Sequence, residues 1–500
     1  MIKVGFITNY FIFLFSKSKQ PPIRTLKKTV RWVIGIILGI YIGTIILLNI
    51  PYIQRNMTTF VTKELSRTLG TELTIGKIDI GLLNRIIIDD VLLDDQSGKE
   101  MLKITRLSAK FDIIPLFNGK ITISSVQLFG FNINLNKPAP HMEPNFKFVL
   151  DAFASKDTVK TKKDIDLRIN SILIRRGKLS YDVLSEEETP GKFNPQHIKL
   201  HNIIANISLK ALQNDSINAA IKRLSVDEQS GFELQKLSLK VIANNKGMKI
   251  ENFAIEMPGT EMKMDTIRME YDSLKALNHF ADNVRFSFRT LPSHVTLNDI
   301  SAFVPALSNF KEKLDLNIDV EGTLNQLNCR TLEINAGDKF RLKGDVSLQD
   351  LSRPQDAYVY GHLANLSANK EGIGFLVRNL SPHYNGVPPV LQHLGNTSFH
   401  GEISGYFTDL VMYGLFRTDI GSVQTDLKLS SDKAKALFSY SGGVKTTDFE
   451  LGQLLGNKQL GKITFNLDVR GNHYKSQYPS ITLKGLIASL EYSNYKYENI

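Results

Sequence analysis

Lys120 to Lys137 reads KITISSVQLFGFNINLNK. Toward its end, Phe131, Ile133 and Leu135 fall on one side and Asn132, Asn134 and Asn136 on the other. Ile121 and Ile123 open the stretch in the same phase. Successive side chains of a strand point to opposite faces, so this period of two predicts a sheet with one apolar and one wet face. The pattern recurs upstream in TELTIGKIDIGL (71–82). It recurs again in the segment 85–114, which predicts two strands around a turn at 95–98. Downstream, Leu314, Leu316, Ile318 and Val320 alternate with Asp315, Asn317, Asp319 and Glu321. Ile463, Phe465, Leu467 and Val469 repeat the arrangement. FRLKGDVSL (340–348), SFHGEISGYF (398–407) and ITLKGLIASL (481–490) complete a loose, glycine-centred repeat of irregular spacing.

Trp32 to Ile50, WVIGIILGIYIGTIILLNI, contains no charge. About 20 helical residues at 1.5 Å each span roughly 30 Å, the hydrocarbon thickness of a bilayer. Trp32, Ile36, Ile40, Ile45 and Ile50 mark this expected anchor. Residues 1–31 hold seven Lys or Arg and no acid. Basic flanks stay on the cytoplasmic side, so the body from Tyr52 onward is expected to be translocated. The run is long for a signal peptide and lacks a small-residue cleavage site. Tyr10 to Phe15 is too short to span.

The formal net charge is +11, but without the first 31 residues it falls to +4. That is too weak for a nucleic-acid footprint, and no nucleic-acid partner is expected. The basic tail reads as a topology signal beside anionic headgroups. A single cysteine, Cys329, excludes an intrachain disulfide and a cysteine metal cage. Five hundred residues exceed one hydrophobic core.

Helices are expected at 52–69, where Ile53, Met57, Phe60, Val61, Leu65 and Leu69 keep helical spacing and Gly70 follows as a cap. Further helices are expected at 145–153, 297–310, 370–379 and 447–456, and a turn at Gly177. The resulting organisation is a basic tail (1–31), a spanning helix (32–50), a β module (51–140), a β-rich middle (141–309) and a repetitive β segment (310–500). The fold class is mainly β: an elongated, curved antiparallel sheet, groove-like and repeat-built, with a few short helices. The chain stops inside an apparent strand, so the expectation is an N-terminal portion of a longer protein.

No motif carries convincing chemistry. Gly456 to Lys462 imitates a phosphate loop, but Ile463 stands where Ser or Thr must hold magnesium. His197 and His201 lie in a strand, where four residues separate them by about 13 Å. Asp89, Asp90, Asp94 and Asp95 lack calcium-loop spacing and read as a solvated hairpin end. The expectation is a protein with no cofactor, no metal and no catalytic residue. An anchored hydrolase would need convergent titratable groups that the sequence does not offer.

The anchor, the amphipathic helix, TELTIGKIDI and the strands that follow resemble the AsmA-like superfamily, most closely its TamB-type members. Pro115-Leu116-Phe117-Asn118-Gly119-Lys120-Ile121-Thr122-Ile123 stands where that family has a Pro-Leu-Leu-x-Gly-Lys-Ile-x-Ile turn and strand. DFELGQLLGNKQLGKITFNLDVRG (448–471) is similar to its helix-then-strand element. The resemblance implies a bacterial inner-membrane anchor with a periplasmic β-groove reaching toward the outer membrane. It implies phospholipid transport or help in outer-membrane protein assembly and secretion. It also implies an outer-membrane barrel partner, met by a region outside this chain. The apolar residues of the strands, Ile121, Ile123, Phe131, Ile133, Leu135, Leu314, Leu316, Ile318, Val320, Ile463, Phe465, Leu467 and Val469, are then the expected contacts for phospholipid acyl chains. A facing second sheet would instead make them ordinary core. A third possibility is that open strand edges receive client strands.

Overall fold

The computed structural model describes residues 23–81, 84–112, 121–153, 165–166, 169–213, 216–353, 355–380, 389–432, 437–474 and 480–500. The patch Tyr10 to Phe15 and the family-like segment Pro115 to Lys120 lie outside them.

Helix α1 (Ile23–Leu48) contains the apolar span Lys28–Leu48, none of it buried. It ends two residues before the expected Ile50. Ile50 is extended (φ −65°, ψ 128°) and precedes Pro51, because a residue before proline is pushed out of the helical region. Pro51 therefore starts helix α2 (Pro51–Leu69) just beyond the end of α1, its missing N–H costing nothing in a first turn. Gly70 caps α2 in the left-handed region (φ 68°). Phe60, expected on the covered face, is 70% exposed. The covered face runs instead through Gln54, Met57, Thr58, Val61, Leu65 and Leu69.

The body is mainly β. Twenty-four described strands join edge to edge in one sheet. It opens with β1 (Leu73–Gly81), β2 (Arg85–Asp94), β3 (Glu100–Phe111) and β4 (Ile121–Lys137) as an antiparallel meander. The sheet is not purely antiparallel, because β4 pairs in parallel with the stub β5 (Ile165–Asp166) and with β6 (Ser171–Val183). A parallel return needs a crossover, and helix α3 (Lys147–Phe153) lies in it. From β6 onward every pairing is antiparallel. The sheet crosses residues 140/141 and 309/310 without interruption.

Gly177 is not a turn; it lies inside β6. A Cβ there would sit 2.4 Å from the Phe131 ring, so glycine leaves the space that the ring fills. The segment 297–310 forms two single 3₁₀ turns, Leu297–Ile300 and Pro305–Leu307, with no side-chain cap. The Asp299 carboxylate accepts the Gly259 N–H instead (3.0 Å). The remaining helices are α4 (Phe280–Asn283), α5 (Lys370–Leu380), α6 (Pro389–Gln392) and α7 (Leu451–Leu455).

The accessible surface is 33139 Å², whereas a compact monomer of this mass exposes roughly 18,500 Å². The chain is extended, and at ~4.8 Å per strand the sheet measures about 105 Å across its strands.

The free edge of β1 is closed by side chains of Asn49 and of α2. Asn49 donates to the Ile80 carbonyl (2.8 Å), Thr58 accepts the Ile78 N–H (3.2 Å) and Ser66 accepts the Leu73 N–H (3.1 Å). Gln54, 7% exposed, donates to Asp79 and Asn49. This is why polar residues occupy the buried face of α2: an open strand edge has orphan backbone groups that must find partners. Replacing Thr58 and Ser66 together by Val is expected to destabilise this edge by about 1–3 kcal/mol per unpaired group. The measurement is amide exchange at Leu73 and Ile78; unchanged protection would contradict the assignment.

Candidate functional site: an apolar trough along one sheet face

Antiparallel partners directly opposite each other share a face, so the pairing register traces rows across the strands. One row runs through Val320, Cys329, Val346, Gly361, Ile403, Met412, Leu427, Gly442, Val469 and Leu483. It crosses ten consecutive strands without a charged residue. Three parallel rows flank it, from Leu316 to Ile487, from Ile318 to Gly485 and from Gly322 to Ile481, over the same ten strands. Their polar members are Thr425, Thr446 and Tyr440, and none contains Asp, Glu, Lys, Arg or His. Nearer the anchor another row joins Ile78, Ile88, Leu107, Leu128, Ile174 and Ala205, and continues through Leu224, Leu237 and Ile255 to Met262.

The sequence-predicted residues fall into this pattern in two ways. Leu316 and Phe465 share a row, as do Ile318 and Leu467, and Val320 and Val469. They come into register although about 150 residues separate them in sequence. Ile123 is half-buried; Ile121 is placed on β4 by its backbone only. The other group is closed off. Phe131 (7% exposed), Ile133 and Leu135 pack in a core under α2 and α3, against Met57, Val61, Leu65 and Val149. They are protein-covered and are corrected from ligand contacts to core. Leu314 and Leu316 pack against Ile373 and Phe375 of α5, and Ile463 and Phe465 against Leu451 and Leu454 of α7. These four lie at a helix-lined rim. Ile318, Val320, Leu467 and Val469 lie beyond the helices.

No second sheet faces these rows, since every described strand belongs to the one sheet. Yet Val320, Leu363, Phe399 and Leu467 are only 6%, 5%, 2% and 8% exposed, and none belongs to the helix-capped clusters. A flat single layer would leave one face bare. Burial without a covering layer means that the face curls inward and neighbouring strands shield one another. Glycines permit the curl. Gly442 has φ 141°, and a Cβ there would stand 2.0 Å from the Asp426 carbonyl oxygen. Such an approach is open to glycine alone. The site is a trough with helices α5, α6 and α7 along one rim and hairpin turns along the other.

The outer face is charged. Arg289 pairs with Asp319 (2.6 Å), Arg285 with Glu321 (2.5 Å) and Lys343 with Glu333 (2.7 Å). Lys240 and Lys249 together hold the Glu251 carboxyl down at about 2 by hydrogen bonding. These exposed pairs contribute little stability, but they make this side the wet one.

The histidines and acids take structural roles. His201 is exposed and is no partner of His197. His197 (5% exposed) lies 3.0 Å from Asp182 through Nδ1 and 3.0 Å from the Glu186 carbonyl through Nε2. Asp182, Glu188 and His197 form the one described cluster close enough for a metal ion. Both His197 nitrogens face oxygen atoms, so the ring can donate to both only when it is protonated. The Asp182 hydrogen bond raises its pKa above 6.5 against the opposing effect of burial, helped by the Glu186 carbonyl. A raised folded-state value means that this contact stabilises fully below pH 6.5 and fades as pH rises through the raised value. His197→Gln is expected to remove that pH dependence from the unfolding of the 183–197 loop, read by amide exchange at two pH values. Asp95 is no solvated acid: it is 4% exposed and accepts from Ser97 and Lys99, which lowers its pKa despite burial. Gly456 caps α7 in the left-handed region, and a strand follows.

No family model, no curated protein and no solved structure matches this chain.

Val346 and Ile403 lie in repeat segments read from the sequence, whereas Leu363, Met412 and Leu427 join this face only through the pairing register. At Met412 the apolar outer-face neighbours Val411 and Tyr413 hide the period.

Proposed function

We propose that this chain is a membrane-anchored, AsmA-like conduit of the bacterial envelope whose trough carries phospholipid acyl chains between the inner and outer membranes. The observation that carries the reading is the set of rows without a charged side chain, continuous over ten strands and uncovered by any facing sheet. Each acyl CH₂ removed from water contributes about 0.8 kcal/mol, so an apolar path holds a chain without any specific contact. In this reading the apolar helix holds the near end of the sheet at its lipid source, a bilayer. The reading assigns no catalytic residue and no cofactor.

Photocrosslinking in cells tests it. A benzophenone amino acid at Met412, a half-buried position on the trough face, is expected to capture phospholipid. Protein adducts without lipid would favour a scaffold for client strands in outer-membrane protein assembly or secretion. The closure of the β1 edge by Asn49, Thr58 and Ser66 argues against client strands adding there.

A further inference from the structure

Asp182 lies at the end of β6, and His197 opens β7 (His197–Gln213). The loop between them carries Glu186, Glu187 and Glu188 in succession. One side-chain ligand atom from each of Asp182, Glu188 and His197 falls within 4.8 Å of the other two.

The imidazole is held in one orientation. His197 is buried, and its Nε2 stands 3.0 Å from the Glu186 carbonyl oxygen. That oxygen can only accept, so Nε2 carries a proton. Nδ1 stands 3.0 Å from an Asp182 carboxylate oxygen. In the neutral ring Nδ1 then turns a lone pair toward a carboxylate, and two acceptors this close repel each other. A cation shared by both removes the repulsion. A proton on Nδ1 does so for Asp182 alone. A divalent metal does so with twice the charge and also engages Glu188, which the proton leaves out. An imidazole that gives one N–H to a backbone carbonyl and turns its other nitrogen to a metal is the usual state of a histidine ligand.

The distances fit such an ion. With metal–ligand bonds of about 2.0–2.2 Å, a nitrogen and an oxygen 3.0 Å apart subtend about 90° at the metal, as in a five- or six-coordinate centre completed by water. The imidazole selects a transition metal such as zinc over calcium or magnesium, which take oxygen ligands. The local charge favours a cation: Asp182 and the three glutamates outnumber Lys192 and Lys199. Lys199 competes for Glu188 (2.9 Å), whose side chain is 55% exposed and free to turn from one cation to the other.

We propose that Asp182, Glu188 and His197 form a divalent transition-metal site, with zinc as the fitting ion, that clamps the base of the 184–196 loop to β6 and β7. The loop reaches along the helix-lined rim of the trough. The Phe193 N–H donates to the Ala302 carbonyl (2.9 Å), and the Phe193 ring meets Phe303 (4.9 Å), which also meets Phe232 (4.9 Å). Metal at the base of the loop therefore fixes the part of the rim between α3 and α5. The inference goes beyond the conduit reading and does not depend on it.

Zinc titration of the untagged full chain in detergent micelles, read by calorimetry and amide exchange, tests the site. Saturable binding of one zinc ion per chain is expected, with slower exchange in the 184–196 loop. Glu188→Gln is the decisive variant, since loss of an exposed carboxylate leaves the fold intact. It is expected to weaken zinc binding by at least about tenfold, with exchange of the metal-free loop unchanged. Lys199→Met is expected to tighten binding by freeing Glu188. X-ray absorption of the zinc complex is expected to show one imidazole among oxygen ligands. No saturable binding, or equal affinity in Glu188→Gln, would overturn the site. Two or more imidazoles per zinc would overturn it as well, because the ion would then lie on other histidines. Binding without any change of exchange in the loop would overturn the clamp.

Discussion

Aspartate at both Ile318 and Leu467 is expected to abolish capture of phospholipid at Met412, with the sheet intact. The two positions share a row, eight strands apart, on either side of the probe. Neither lies under a helix, so each carboxylate meets the trough rather than a protein core. An unpaired charge in an apolar setting costs several kcal/mol, and a passing acyl chain cannot compensate it. Water drawn to the carboxylates also breaks the continuity of the path. Asn466→Asp supplies the control. It adds the same charge one residue from Leu467 but on the outer face, opposite Lys445, and should leave capture unchanged. Equal strand content by circular dichroism in both variants excludes unfolding as the cause. Capture that persists in the double variant would mean that lipid does not use this face.

Phe399→Ala is expected to loosen the middle of the trough by about 3–5 kcal/mol, the usual cost of emptying a buried aromatic site. Phe399 is 2% exposed. Its ring lies over two glycines on paired strands: a Cβ at Gly401 or Gly414 would stand 2.9 or 2.8 Å from the ring tip. Phe416 stands directly opposite on the next strand, but no facing layer can collapse into the space. The sheet is built from neighbour contacts only, so the effect should remain local. Hydrogen exchange is expected to accelerate in Thr397–Tyr406 and Asp409–Thr418 while Leu73–Phe111 keeps its protection. Uniform acceleration along the chain would show instead that the sheet unfolds as one unit. A single melting temperature is a poor readout for so long a sheet.

Particular elements show where sequence reading reaches its limit. The strand at Leu314–Thr323 was legible because its two faces differ in chemistry at every position. The same holds for the apolar helix, where length and composition suffice, and for the Gly70 cap. Gly177 was misread because a glycine inside a strand and a glycine in a turn look alike until the Phe131 ring is placed above it. Asp95 was misread because its partners, Ser97, Lys99 and Asn145, close around it only in three dimensions. On α2, Met57, Val61, Leu65 and Leu69 cover the sheet as their spacing predicts, but Phe60 is exposed and the polar Gln54 and Thr58 are buried instead. Gln54 and Thr58 serve a strand edge that the helix sequence does not contain.

The sequence by itself determined that the chain is a one-faced β ribbon tied to an apolar helix, because alternation and length are local properties of the chain. Which apolar residues remain available was decided only by tertiary structure. Phe131, Ile133 and Leu135 alternate just as Ile318 and Val320 do, yet helices α2 and α3 cover the former and not the latter. The register that lines up Ile318 with Leu467 arises from the summed pairing of the strands between them. Coverage and register are both relations between distant segments, and no local pattern encodes them.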